Sequence, residues 1–82
     1  SIFLQLGSYK TEKKAKNFIR SFKEKNSQLI NNLGLNITAA NLSERGTYYR
    51  VRLGPFSDNK DVFTLCIELK LENNECLIVK DK

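Results

Sequence analysis

The tetrapeptide Leu6–Tyr9 (LGSY) recurs 47 residues further along the chain as Leu53–Phe56 (LGPF). A good N-capping residue follows each copy, Thr11 in the first and Asp58 in the second, and opens an apolar stripe with helical spacing. The two stripes have the same spacing and are formed by Ala15, Phe18, Ile19 and Phe22, and by Val62, Leu65, Cys66 and Leu69. The repeat therefore predicts two β-α-β halves packed on one sheet, each with its glycine in a tight turn between strand and helix.

Hydrophobic periodicity and turn residues extend this repeat to the whole chain of 82 residues. The predicted strands are Ile2–Leu6, Asn36–Leu42, Thr47–Leu53 and Glu75–Lys80, and the predicted helices run from Thr11 to at least Lys25 and from Asp58 to Leu71. This order is βαββαβ. The sequence thus predicts an α+β fold in which a four-stranded antiparallel sheet carries both helices on one face and leaves the other face open.

Strand alternation assigns residues to the two faces of this sheet. The helix-covered face is predicted to contain Ile2, Leu4, Leu6, Tyr49, Val51 and Leu53, above which the helical residues Phe18 and Leu65 are buried. The open face is predicted to contain Phe3, Gln5, Tyr48, Arg50 and Arg52. Aromatic rings stack on sugars or bases, and amide and guanidinium groups donate directed hydrogen bonds, so this face suits a ligand. The alternative is that Phe3 and Tyr48 are ordinary cross-strand partners.

The net charge of +5 is concentrated in the first helix. Residues 10–25 contain seven basic and two acidic side chains, and the rest of the chain is neutral. The simpler interpretation is a solvated helix face. The alternative is a patch that binds a polyanion or an anionic membrane.

Catalytic and metal-binding patterns are absent from the sequence. The chain has no histidine, its acids are scattered, and it shows no phosphate-binding loop and no zinc spacing. We therefore expect a protein that is not an enzyme and needs no cofactor or metal. For Cys66 and Cys76 the simpler interpretation is two buried thiols, and the alternative is a disulfide, which forms in oxidising compartments.

Two further motifs follow each other along the chain: residues 3–9 read FLQLGSY and residues 48–56 read YYRVRLGPF. Both resemble motifs of the SPOR domain family, whose pattern has a Val-Gln-x-Gly-Ser-Phe opening and a Tyr-Arg-Val-x-x-Gly-Pro-Phe centre. The resemblance covers essentially the whole chain, although the first helix and its following connection are several residues longer here.

The resemblance implies a βαββαβ fold like that of ribonucleoproteins. It also implies binding of bacterial peptidoglycan, preferentially of denuded strands that lack stem peptides, in the periplasm and at the division septum. The residues at matching motif positions, which the resemblance implies bind glycan, are Gln5 and Ser8, Tyr48 and Arg50, and Ile78 in the last strand. Together with Phe3 and Arg52 of the open face they form the predicted glycan-binding surface. We expect residues 1–82 to form one monomeric domain excised from a longer envelope protein, and we expect any membrane anchor to lie outside this sequence.

Two other functions fit an open sheet with exposed aromatic residues. RNA-recognition motifs stack bases on such a face, but their RNP signature is missing here, and the positive charge lies on the helix side of the sheet. We therefore expect no nucleic-acid partner. A protein-protein docking module is the third alternative.

Overall fold

The computed structural model describes residues 1–30 and 32–80. Its strands are β1 (Ile2–Tyr9), β2 (Gly34–Asn41), β3 (Thr47–Phe56) and β4 (Leu77–Lys80), and its helices are α1 (Glu12–Asn26) and α2 (Asn59–Glu68). All strand pairs are antiparallel, in the order β2-β3-β1-β4. The predicted α+β fold is confirmed. Within the described ranges, no helix is both long and apolar enough to cross a membrane.

Both helices start where the sequence predicts. The side chain of Thr11 accepts a hydrogen bond from the backbone N–H of Lys14 at 3.2 Å. Asp58 Oδ1 accepts the equivalent bond from the N–H of Asp61 at 2.9 Å. Each cap satisfies one of the backbone donors that have no partner inside the helix.

The second helix is shorter than predicted, because a Schellman motif ends it at Glu68 rather than near Leu71. Lys70 adopts a left-handed φ of 60°. The N–H groups of Lys70 and Leu71 then donate to the carbonyls of Ile67 and Cys66. The chain turns here toward β4.

The core lies between the two helices and the predicted covered face. Leu4, Val51, Leu53, Ala15 and Val62 are fully buried. Ala15 and Val62 are equivalent positions of the internal repeat, and each sits on the apolar stripe of its helix.

Burial of the next pair of equivalent positions differs between the two helices. Leu65 is buried as predicted. Phe18 is only partly buried, so its prediction as a fully buried residue is wrong. Its ring lies between those of Tyr9 and Phe22, at centroid distances of 5.7 and 5.6 Å.

The glycines of the repeat lie inside strands, which corrects the prediction that they form turns. β1 continues through Gly7 to Tyr9, and β3 continues through Gly54 to Phe56. The pairing of β1 with β3 shifts register twice, with one extra residue in β1 between Gln5 and Gly7 and one in β3 near Gly54. Each glycine is thus part of a β-bulge, a usual place for this residue in a strand.

Side-chain packing explains why both positions lack a Cβ atom. A Cβ built on Gly7 would lie 2.8 Å from the hydroxyl oxygen of Tyr9. A Cβ built on Gly54 would lie 2.7 Å from Cδ1 of Phe3. Aromatic rings therefore cover both glycines.

Cys66 on α2 and Cys76, which directly precedes β4, form a disulfide. The interpretation as two buried thiols is therefore wrong, and the alternative interpretation as a disulfide bond is confirmed. The bond ties the short strand β4 to a helix of the core. Disulfides persist mainly in oxidising compartments such as the bacterial periplasm.

Candidate functional site

The centre of the open face is a hydrogen bond between the two middle strands. Arg52 Nε donates to Gln5 Oε1 at 3.3 Å. The two residues are direct cross-strand partners of β3 and β1. Because this bond uses only Nε, both terminal nitrogens of the Arg52 guanidinium group are left for a ligand.

The bulge in β1 adds Ser8 to the same face. Gln5 and Ser8 are three residues apart, so regular alternation would put them on opposite faces of the sheet. The extra residue at the bulge shifts the alternation by one position, so Ser8 points to the same face as Gln5. Ser8 pairs with Arg50, and Gln5 pairs with Arg52. The two matched pairs form a polar row along the centre of the open face.

Aromatic residues lie at the two ends of this polar row. Tyr48 lies two residues beyond Arg50 on β3, and Phe3 lies two residues before Gln5 on β1. Tyr48 and Arg52 are four residues apart, about 13 Å along the strand. Both rings are partly buried. The contact of Phe3 with Gly54 shows that part of its ring has a structural role.

The polar row is rich in unsatisfied donors and carries only positive charge. Ser8, Tyr48 and Arg50 make no side-chain hydrogen bond or ion pair with any described residue. No acidic residue occurs in the four strands. Two guanidinium groups that form no ion pair within the described part of the chain make a site that favours an anionic ligand.

The last strand presents other residues than predicted. Ile78 pairs with the buried Leu4 and packs against the core, so its assignment to the open face is wrong. Leu77 pairs with Gln5, and Val79 pairs with Phe3. These two apolar residues extend the open face beyond the polar row, and Leu77 is 49% exposed.

A cleft of about 230 Å³ adjoins the polar row on the side of β4. β4 pairs only with residues 2–5 of β1, so the following part of β1 borders a gap in the sheet. One wall contains Gln5 and Ser8, and the other contains Asn74, Glu75 and Leu77. The Glu75 carboxylate is engaged there, because it accepts a hydrogen bond from the N–H of Glu72 at 2.7 Å.

The side chains on the covered face differ in character from this row. Tyr9 pairs with Tyr49 there, and burial raises the pKa of the Tyr9 hydroxyl above its ordinary value. On the outer face of α1, the basic residues are exposed, and Lys16 forms an ion pair of 3.9 Å with Glu12. Residues 1–30 and 32–80 contain no cluster of three or more potential metal ligands among His, Cys, Asp and Glu.

Sequence reasoning missed the residues that the two edge strands add to the open face. Asn36 and Thr38 of β2 are exposed beside Arg52 and Arg50, and Leu77 and Val79 lie on β4. The alternation of polar and apolar residues over 36–39 was the available signal for β2. For β4 there was none, because the strand is apolar on both faces.

Comparison with known proteins gives one result. No curated protein and no solved structure matches the chain. The family model described as SPOR domain matches residues 1–80, nearly the whole sequence. The chain therefore belongs to the SPOR domain family, a family of peptidoglycan-binding domains.

Proposed function

We propose that the open face binds peptidoglycan glycan strands that lack stem peptides. In this proposal the domain is a non-catalytic module that targets a longer protein to the division septum from the periplasmic side. One copy is sufficient for binding, because all the proposed contacts lie on one sheet. The disulfide between Cys66 and Cys76 supports an oxidising location.

The observation that carries the proposal is the free polar row between two aromatic residues. Arg50 and Ser8 have no partner among the described residues, and Arg52 is oriented by Gln5. Such groups remain solvated until a ligand replaces the water. A polymer that lies along the row meets donors at its centre and rings at both ends.

The preference for stripped strands has a chemical reason. In intact peptidoglycan, the lactyl carboxyl group of muramic acid is held in an amide bond with the stem peptide. Removal of the peptide frees a carboxylate and also removes bulk above the sugar. Arg50 or Arg52 then forms a charge-assisted hydrogen bond that the intact polymer does not offer.

Exclusion adds to this attraction. Tyr48 is partly buried beside the polar row, and sugar rings that stack on it must approach the sheet closely. A stem peptide on the same saccharide would hold the strand away from the sheet. Discrimination between the two polymers therefore comes from a gained contact and from a clash.

Cosedimentation with purified sacculi tests the proposal. Sacculi pretreated with an amidase, which removes stem peptides, are expected to retain more domain than untreated sacculi. The Arg50→Ala variant should lose the higher retention on amidase-treated sacculi. The matched control Arg45→Ala, in the exposed turn before β3, should keep it. Equal retention on both kinds of sacculi would contradict the preference, and tighter binding to RNA homopolymers would favour the nucleic-acid alternative.

A further inference from the structure

One edge of the sheet is long, regular and unprotected. β2 is the end strand, and all eight of its residues pair with β3 without a register shift. Its sequence, GLNITAAN, contains no charged residue and no proline. The other edge strand, β4, has four residues and ends at Lys80. Proteins usually protect long edges with charges, prolines or bulges, because free backbone groups there pair with other strands.

The side chains of β2 alternate in a way that matches a second copy of the same strand. On the open face lie Asn36 and Thr38, and on the covered face lie Leu35, Ile37 and Ala39. In an antiparallel pair, directly opposite residues point to the same face. When two copies of β2 pair with Ile37 at the centre, Ile37 of one copy lies opposite Ile37 of the other. Asn36 then lies opposite Thr38, and Leu35 lies opposite Ala39.

We propose that two copies of this domain associate edge to edge along β2, in this antiparallel register, to form an eight-stranded sheet. Over residues 34–40 every opposite pair is polar with polar or apolar with apolar, and Asn41 extends beyond the paired segment. The strand has no charge that repels its own copy. Such a self-complementary contact closes as a two-fold dimer and leaves no free β2 edge.

The geometry of this dimer has a consequence for a polymeric ligand. The two-fold axis is perpendicular to the sheet, so both open faces point to the same side. The two Gln5–Arg52 pairs are then separated by four strand spacings, about 19 Å. Two sites on one rigid sheet increase avidity for a polymer. The association itself involves no glycan and is independent of the proposed function.

The basic helix α1 should make this association dependent on salt. α1 packs against β2 as well as β1 and β3, so the two copies of α1 flank the seam on the covered side. Their exposed basic residues repel each other across it. Screening weakens this repulsion, and dimerisation should therefore strengthen as the ionic strength rises.

Sedimentation velocity of the free domain, from micromolar to millimolar concentration, tests the inference. The double variant Asn36→Glu, Thr38→Glu places carboxylates opposite carboxylates across the seam. Within one copy, the same residues face Arg52 and Arg50, which accommodate the new charges. The matched control is Asn59→Glu, Thr64→Glu, which changes the same residue types at exposed positions of α2.

We expect the wild type and the control variant to dimerise as the concentration rises. In the edge variant, Asn36→Glu with Thr38→Glu, the dissociation constant of the dimer should be at least about tenfold higher, because like charges directly opposite each other disfavour pairing. Circular dichroism verifies that all three proteins are folded. If the double variant does not fold, the single variant Thr38→Glu replaces it in the test. If the wild type stays monomeric at millimolar concentration, the expectation from the sequence that the domain is a monomer would hold. Dimerisation unchanged in the edge variant would place the contact elsewhere, and either result overturns the inference.

Discussion

Gln5 and Arg52 are hydrogen-bonded at 3.3 Å and are also equivalent positions of the internal repeat, 47 residues apart. Because equivalent residues face each other, the approximate two-fold axis of the repeat passes through this pair. The register agrees, since the pair Ile2–Phe56 has its counterpart in Tyr49–Tyr9. One bulge lies on each side of the axis. The duplication therefore places the polar centre of the open face where its two halves meet.

This pair should act as a unit in glycan binding. Gln5→Ala and Arg52→Lys each remove the Nε hydrogen bond, and the lysine keeps the positive charge. We expect each to weaken binding to soluble denuded glycan by roughly two- to tenfold, the usual range for one hydrogen bond of about 0.5–1.5 kcal/mol. Calorimetric titration of both single variants and the double variant should give a non-additive cycle. Additive energies would show that Gln5 does not position Arg52.

The two faces should differ in their contribution to stability. Leu65 is buried, and its replacement by alanine is expected to cost about 2–5 kcal/mol. That is a large share of the roughly 4–12 kcal/mol that per-residue scaling gives for a domain of this size. Phe3 on the open face contacts Gly54 with part of its ring, so Phe3→Ala should be milder.

Urea denaturation of the two variants measures this difference. A Phe3→Ala variant as unstable as Leu65→Ala would show that the Phe3 ring is mainly structural. The proposed site would then lose one of its two aromatic residues.

The basic face of α1 should contribute little to glycan recognition. Replacement of Lys13, Lys14 and Lys16 by glutamine removes three charges from the side of the sheet opposite the polar row. We expect weaker association with a generic polyanion such as heparin and nearly unchanged retention on amidase-treated sacculi at moderate salt. Complete loss of sacculus binding would show that the polymer contacts the helix.

The disulfide should contribute measurably to stability, because β4 has only four paired residues. Cys66 and Cys76 are 10 residues apart, and closing a loop of this length stabilises a fold by about 2–3 kcal/mol in the chain-entropy model. A reducing agent should lower the melting temperature by roughly 10–20 °C. The variant Cys66→Ser, Cys76→Ser should melt at the lower temperature with or without the agent. An unchanged melting temperature of the reduced wild type would contradict this role.

The repeat, the caps and the central strands could be predicted from the sequence because each has a local signal. Thr11 and Asp58 cap their helices as expected, and alternation in β3 placed Arg50 and Arg52 correctly. The bulges gave no such signal, since a glycine after an apolar strand also suits a turn. The facing of Ile78 depends on its pairing with Leu4, a contact distant in sequence.

Mapping of the ligand by NMR tests the open face most directly. Amide chemical shifts of the labelled domain are followed during titration with soluble glycan strands, once with and once without stem peptides. We expect denuded strands to shift Gln5, Ser8, Tyr48 and Arg50 and to leave the outer residues of α1 unchanged, with smaller shifts for the peptide-bearing strands. Shifts confined to α1 would contradict glycan recognition by the open face, and equal shifts with both polymers would contradict the preference for denuded strands.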